Sequence, residues 1–446
     1  MIQTVTIILS LFFTYKIFSN KGNYISLLWV IIPMVLINGM VVVIDFPLIM
    51  PISRWLIFSL LLTHLYYWKK LKRNWNFNPL KSIIIITIIG SFMIGIFDPR
   101  LSVFNKFYAP IRDITESYFI LFLGYCSISD EDDLQKMIKP LYYTLFIISI
   151  YGAFNFIAQT NPYYEFVIDN FFQGGETDLN TRLKVLDVSQ DRYRSISTFS
   201  STFNYGYVST LFALLYFHWF SVFNKRKIIF IGFFLGLIGT VLCFSRTVLL
   251  ACFFSILIYM LMSFKLSKMF YWLFMSIILF GIAYSTIPVV QNNVNNVLDI
   301  FITGGEQTSG SSIQMRQVQT LVAIHYFTQQ PIRGNGYDYI NNELGWGDRD
   351  NAILDSNMAG FESILYVWLI EQGLIGLVTK LLFFISIIIF FWKKRLTHIK
   401  LSGIGLSIIS LFLMFAIGTG ALGAWPLTML FTGVLIKTIQ IKGIVK

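Results

Sequence analysis

Ser363-Ile-Leu-Tyr-Val-Trp-Leu-Ile-Glu371-Gln-Gly373-Leu-Ile-Gly-Leu-Val-Thr-Lys-Leu-Leu-Phe-Phe-Ile-Ser-Ile-Ile-Ile-Phe-Phe-Trp392 decides the class of this chain. A helix crosses a bilayer core with roughly 20 apolar residues, so this run is too long for one perpendicular span. Its first turns, Phe361 to Gly376, are expected along the membrane interface, with the helix diving at about Gly373. Similar apolar stretches lie near 2–19, 24–44, 52–68, 81–98, 114–128, 140–158, 202–221, 226–244, 247–264, 267–288, 401–419 and 423–440. Segment 114–128 is short enough to be re-entrant. The chain is 56% hydrophobic and only 13% charged, with a mean hydropathy of +0.67, whereas a soluble domain carries about a quarter charged residues. The expectation is an all-α, polytopic integral membrane protein: one membrane domain over 1–446 with about 12–14 spans.

The basic residues divide by type. Placing the loops Lys69 to Arg73, Lys225 to Lys227 and Lys393 to Lys400 in the cytoplasm satisfies the positive-inside rule and puts the N-terminus outside and the C-terminus inside. Nearly every lysine is then cytoplasmic. Arg54, Arg100, Arg112, Arg182, Arg192, Arg194, Arg246, Arg316, Arg333 and Arg349 fall on the outer side. Guanidinium is a planar fork that grips phosphate oxygens bidentately, so outer arginines suit an anionic ligand held outside the cytoplasm. The net charge of +11 does not imply nucleic acid, because the charges are scattered over membrane-flanking loops where anionic lipid suffices. Cys126, Cys243 and Cys252 lack metal-site or disulfide-framework spacing, so neither is expected. The N-terminus lacks a basic region followed by a cleavage site, and its first apolar run reads as a retained helix.

Two outer loops stand out, 159–201 and 289–361. Loops beyond about 15 residues are usually functional or disordered. Ser312 to Gln330 has helical spacing and stops at Pro331, with Arg316 and His325 inside it. The turn Arg333-Gly334-Asn335-Gly336-Tyr337 follows, and its glycines permit positive φ and close backbone approach. Arg246 sits at a membrane boundary with almost no loop to solvate it, which is costly unless it faces a cavity or partner. Glu362 opens the helix that continues to Glu371, where a carboxylate suits either the helix dipole or acid–base chemistry. Glu371, on an apolar face, is expected to be structural, paired with an arginine or capping backbone at the Gly373 break. Asp348, Asp350 and Asp355 lack EF-hand spacing and read as a solvated loop; no metal site is expected.

Taken in order, these stretches resemble the O-antigen polymerase and ligase family of bacterial envelope assembly. Arg194-Ser-Ile-Ser-Thr-Phe-Ser-Ser-Thr-Phe-Asn204 is similar to its arginine and small-residue turn opening a membrane helix. Phe244-Ser245-Arg246-Thr247 is similar to its Ser-Arg pair at a helix end. Arg316, Pro331-Ile-Arg-Gly334-Asn-Gly336 and Glu362 to Gly376 follow its order across the long loop. The ligases of that family carry a His-Asn pair about nine residues before their Glu-x-Gly, where this chain has Glu362-Ser363; a carboxylate there resembles the polymerase branch, Wzy. The resemblance implies a GT-C-like glycosyltransferase of the bacterial inner membrane, facing the periplasm with a large, partly helical loop, and working in lipopolysaccharide or capsule assembly. It implies polymerisation of undecaprenyl-pyrophosphate-linked oligosaccharides with inversion and without metal or cofactor. Membrane lipids, a chain-length regulator and a flippase are the implied partners. Arg194, Arg246 and Arg316, with Arg333 and Arg192 as further candidates, are expected to hold the pyrophosphate; Glu362 is expected to be the base, with His325 in reserve. An O-antigen ligase delivering glycan to lipid A-core, and a transporter or flippase, are the competing readings. A transporter would more often place charges at mid-helix depth.

Overall fold

A computed structural model describes residues 2–37, 39–44, 50–68, 79–171, 194–223, 227–264, 313–344, 361–420 and 423–444, with a few isolated residues between 281 and 295. Arg182, Arg192, Arg349, the three loop aspartates and most of segment 267–288 lie outside the described residues.

In chain order the helices are α1 (Ile2–Ser19), α2 (Tyr24–Leu36), α3 (Ile52–Tyr67), α4 (Lys81–Ile96), α5 (Val103–Asp113), α6 (Phe119–Cys126), α7 (Asp133–Lys136), α8 (Ile138–Ala158) and α9 (Pro162–Phe171). They continue with α10 (Thr202–Val222), α11 (Lys227–Leu242), α12 (Arg246–Ser263), α13 (Ile313–Gln329), α14 (Tyr339–Asn342), α15 (Ile364–Lys394), α16 (Ile399–Thr419) and α17 (Trp425–Ile444). The only sheet among the described residues is a short antiparallel pair, β1 (Val42–Ile44) with β2 (Met50–Pro51). The protein is an all-α polytopic membrane protein. Five helical stretches, Ile2–Ser19, Asp133–Ala158, Arg246–Ser263, Ile364–Lys394 and Ile399–Thr419, are long and apolar enough to cross a bilayer.

One expected span is corrected. Residues 24–44 do not form a single helix: α2 ends at Leu36 and the chain enters β1 at Val42. Ile37, just after α2, is already extended at φ −112° and ψ 125°, and the β-branched run Val41 to Ile44 favours strand over helix. Segment 114–128 is longer than it reads, because α5, a π-helical turn Ile114–Tyr118 and α6 follow one another without a break. Such π-turns are frequent at functional sites.

Small residues set the tightest packing. A Cβ at Gly236 on α11 would lie 2.8 Å from the Ala213 backbone nitrogen on α10, so these two helices meet backbone to backbone, as membrane helices commonly do. Helices α10, α12, α15 and α17 all begin at the end of the bundle where α4, α11 and α16 finish. Contacts across that end connect Thr198 with Val35, Gly418 with Thr247 and Gly423 with Asn204. All seven described members of the outer arginine set lie there, while Lys393 and Lys394 close α15 at the opposite end. Trp425, at the start of α17, packs against Trp368, Phe384 and Phe412 with ring centroids 5.1–6.0 Å apart. Its indole N–H donates to the Ser117 carbonyl at 2.7 Å, which ties the π-turn to the core.

Candidate functional site at the arginine-rich end

The long helix α15 breaks where its sequence suggests. Gly373 has φ +59° and ψ −155°, and a break of this kind strips neighbouring carbonyls and amides of their helical partners. The segment Pro331 to Gly336 replaces them. Asn335 N–H donates to Ile370 O and Gly336 N–H to Glu371 O, both at 2.8 Å; Leu374 N–H donates to Pro331 O at 2.9 Å and Ile375 N–H to Ile332 O at 3.0 Å. Close approach requires glycine on both sides: a Cβ at Gly334 would lie 2.4 Å from Gln372 N, and one at Gly373 2.4 Å from Gly334 N. The glycine-bearing turn thus docks into a broken helix, and that docking fixes α13 against the first half of α15.

Helix α13 presents Arg316, Gln319, Thr320 and Ala323, spaced for one helical face, to the start of α15. Arg316 Nη2 donates to Glu362 Oε2 and to Gly418 O, each at 2.8 Å, and Nη1 donates to Glu362 O at 2.6 Å. Gln319 Oε1 accepts from Glu362 N–H at 3.2 Å, and Thr320 and Tyr366 hydroxyls lie 2.6 Å apart. These contacts use three of the five guanidinium N–H groups of Arg316, leaving two. Glu362 Oε1 accepts nothing among the described residues and the side chain is 28% exposed.

Arg194 and Arg246 belong to the same neighbourhood. Ser195, next to Arg194, donates its N–H to Leu242 O at 3.1 Å and its hydroxyl to Gly152 O at 2.8 Å. That bond holds the Arg194 strand on the turn between α11 and α12. Arg246 is the first residue of α12, capped by Ser245, whose Oγ accepts from Val248 N–H. Thr247 packs on Gly418, the residue whose carbonyl takes Arg316. Arg194, Arg246, Arg316 and Glu362 are therefore linked through Leu242, Thr247 and Gly418.

The remaining candidates lie elsewhere. Arg333 donates to the Phe97 carbonyl at the end of α4, across the Gly373 break from Glu362. His325 is exposed, and nine residues along a helix of 3.6 per turn put it half a turn away from Arg316. The structure does not bring His325 to Glu362.

A second charged group was not singled out from the sequence. Lys380, buried midway along α15, pairs with Asp113 at 3.3 Å. Asp113 also accepts from Ser91 at 3.0 Å, Ser117 at 3.4 Å and Tyr337 at 3.5 Å. Burial, with Asp113 beside it, pushes the Tyr337 phenol well above its usual range. Arg112 pairs with Asp338 at 2.6 Å, Arg54 pairs with Glu116, and Arg100 grips Asp98 through Nη2 at 2.8 Å and Nε at 3.2 Å. With Arg316 on Glu362, four of the outer arginines thus serve carboxylates of the protein itself. Lys380 is a charge at mid-helix depth, and its isolation inside an apolar run was the available signal. Glu371, expected to pair with an arginine or to cap backbone at the Gly373 break, caps backbone: its Oε1 accepts from Ile340 N–H at 3.2 Å and its carbonyl from Gly336 N–H at 2.8 Å.

No curated protein matches the chain significantly. Residues 231–381, which carry Arg246, Arg316, Arg333, Glu362 and the Gly373 break, match the family model described as O-antigen ligase, and over that stretch the chain is similar to that family.

Proposed function

We propose that the protein is a membrane glycosyltransferase that polymerises lipid-linked oligosaccharide units, transferring the growing glycan from undecaprenyl pyrophosphate to a new lipid-linked unit. The observation that carries this reading is the Arg316–Glu362 pair, which leaves Glu362 Oε1 open at the helix ends where the backbones of Arg194 and Arg246 also lie. The positive ends of α10, α12, α15 and α17 face the same region, which favours an anion there.

The departing pyrophosphate is stable as an anion, so it needs charge stabilisation rather than a proton. Guanidinium groups fixed in advance provide this where negative charge develops. The acceptor hydroxyl attacks the anomeric carbon, the bond to the pyrophosphate oxygen breaks, and its electrons leave with the phosphate. Glu362 Oε1 takes the hydroxyl proton, a role worth about 10²–10⁴ in rate. Arg316 Nη2 holds the other carboxylate oxygen, which aims Oε1 at the acceptor. Attack opposite the leaving group inverts the anomeric centre. The site then faces the periplasm in a bacterial inner membrane, with the lysine-rich end in the cytoplasm, and a GT-C-like architecture and a lipopolysaccharide or capsule product follow from the same reading.

The carboxylate in place of a histidine favours polymerase over ligase. Incubating the purified protein with its lipid-linked repeat unit alone tests the choice. A ladder of lengthening glycans without lipid A-core or added metal is expected. Transfer only when lipid A-core is supplied would make it a ligase.

A further inference from the structure

Arg54, Arg100, Arg112 and Arg316 each pair with a carboxylate of the protein. Arg333 pairs with none among the described residues: one guanidinium N–H donates to the Phe97 carbonyl just past α4, and four of its five donors are left over. Lys106, in the first turn of α5, also has no carboxylate partner among the described residues. Its carbonyl lies against the same end of α4, 2.8 Å from where a Cβ on Gly95 would stand. The acids of this corner are taken, Asp98 and Glu343 by Arg100, Asp338 by Arg112 and Asp113 by Lys380. Two positive charges are therefore in surplus.

The surface leading to them is apolar. Helix α4 has 16 residues and is about 24 Å long, so both its ends lie close to the headgroup levels of a bilayer core of about 30 Å. Ile86, Ile89, Met93 and Phe97, three or four residues apart and so on one face, form an exposed strip along it that ends at Phe97, 60% exposed. Beside that end Ile332, next to Arg333, is 66% exposed, and Phe104 and Phe107 are exposed on α5. An apolar strip the length of a lipid chain thus ends at two uncompensated cations.

We infer that this corner binds an anionic phospholipid of the adjoining leaflet, its acyl chains along the exposed face of α4 and its phosphate held by Arg333 and Lys106. The planar fork of guanidinium bonds two phosphate oxygens, and the ammonium adds a point charge. A free phosphate would leave the apolar strip uncovered, and a lipid without net charge would leave positive charge uncompensated. Each basic residue near a membrane surface adds to the attraction of an anionic headgroup. Arg333 belongs to the turn whose backbone fills the Gly373 break, through Pro331 O and Ile332 O, so the bound lipid also braces that docking. The site is separate from Glu362, across the break, and does not depend on the reaction proposed there.

The test is native mass spectrometry of the full-length protein in detergent, titrated with an equimolar mixture of phosphatidylglycerol and phosphatidylcholine carrying the same acyl chains. Wild type should retain phosphatidylglycerol over phosphatidylcholine by about tenfold or more. Arg333→Gln/Lys106→Gln should hold one phosphatidylglycerol fewer, and the added lipid should raise its thermal midpoint less than that of wild type. Lys106→Gln alone removes a charge that makes no ion pair, and should weaken retention by about threefold or more; it keeps the test decisive where the Arg333 variant does not fold. An unchanged number of bound phosphatidylglycerols in both variants, or equal retention of the two lipids by wild type, would overturn the inference. Displacement of the lipid by millimolar inorganic phosphate would also overturn it, because the site would then be one for a free anion.

Discussion

Arg316 and Glu362, forty-six residues apart, are joined twice: Nη2 meets Oε2 at 2.8 Å and Nη1 meets the Glu362 carbonyl at 2.6 Å. The same guanidinium reaches Gly418 O at the end of α16. One side chain thus holds the long-loop helix, the start of α15 and the end of α16 in register around a carboxylate with one oxygen left open.

Arg316→Lys is expected to lower glycan transfer about as strongly as Arg316→Ala. A lysine keeps the charge but not the planar fork that bonds an oxygen pair and a third carbonyl together. Losing a positioned donor from a charge-stabilising site costs about 10²–10³ in kcat. Initial rates of product-ladder formation check this, and a lysine variant near wild-type activity would show that charge alone suffices.

His325→Ala should leave transfer within about twofold of wild type, because surface substitutions away from special features usually change stability by less than about 0.5 kcal/mol. The imidazole is exposed and half a helical turn from Arg316. Abolition of the ladder by this variant, with Glu362→Gln active, would reassign the base.

Gly373→Ala and Gly334→Ala are both expected to destabilise the protein and to depress activity without touching substrate. Each position has positive φ, +59° and +73°, and each Cβ would sit 2.4 Å from backbone of the other segment. Backbone strain alone costs about 1–3 kcal/mol, and the overlap adds to it. Thermal unfolding in detergent should show a lowered midpoint for both.

Lys380→Met should be more damaging than the double variant Lys380→Met/Asp113→Asn. Removing one partner of a buried pair leaves an uncompensated charge and costs about 3–5 kcal/mol, whereas neutralising both is often near neutral. The asparagine retains an acceptor for Ser91 and Tyr337. Thermal unfolding of wild type, both single variants and the double variant gives the coupling directly; additive losses would mean that the pair is not coupled.

Much of this architecture was legible in the chain, for reasons that differ by residue. The break at Gly373 could be read because an apolar run of that length cannot cross once, and a glycine followed by a second at Gly376 marks the weak point. The helix expected over 312–330 runs from Ile313 to Gln329, since Pro331 cannot continue it. The site is partly legible: Arg194 and Arg246 lie at predicted helix ends and Arg316 inside the predicted loop helix, but nothing in the sequence says that Arg316 spends its bonds on Glu362. Arg112 with Asp338 and Asp113 with Lys380 are 226 and 267 residues apart, and pairing across such distances is a product of helix packing, which periodicity does not encode. The β1–β2 pair was hidden for the opposite reason, as its valines and isoleucines read as the continuation of an apolar span.

The most direct measurement follows chain growth from a purified lipid-linked repeat unit by wild-type protein and by Glu362→Gln at equal folded concentration. A glycan ladder is expected for the wild type and a rate lower by at least about 10² for the variant, with the lipid-linked unit still bound. A full ladder from Glu362→Gln would contradict it.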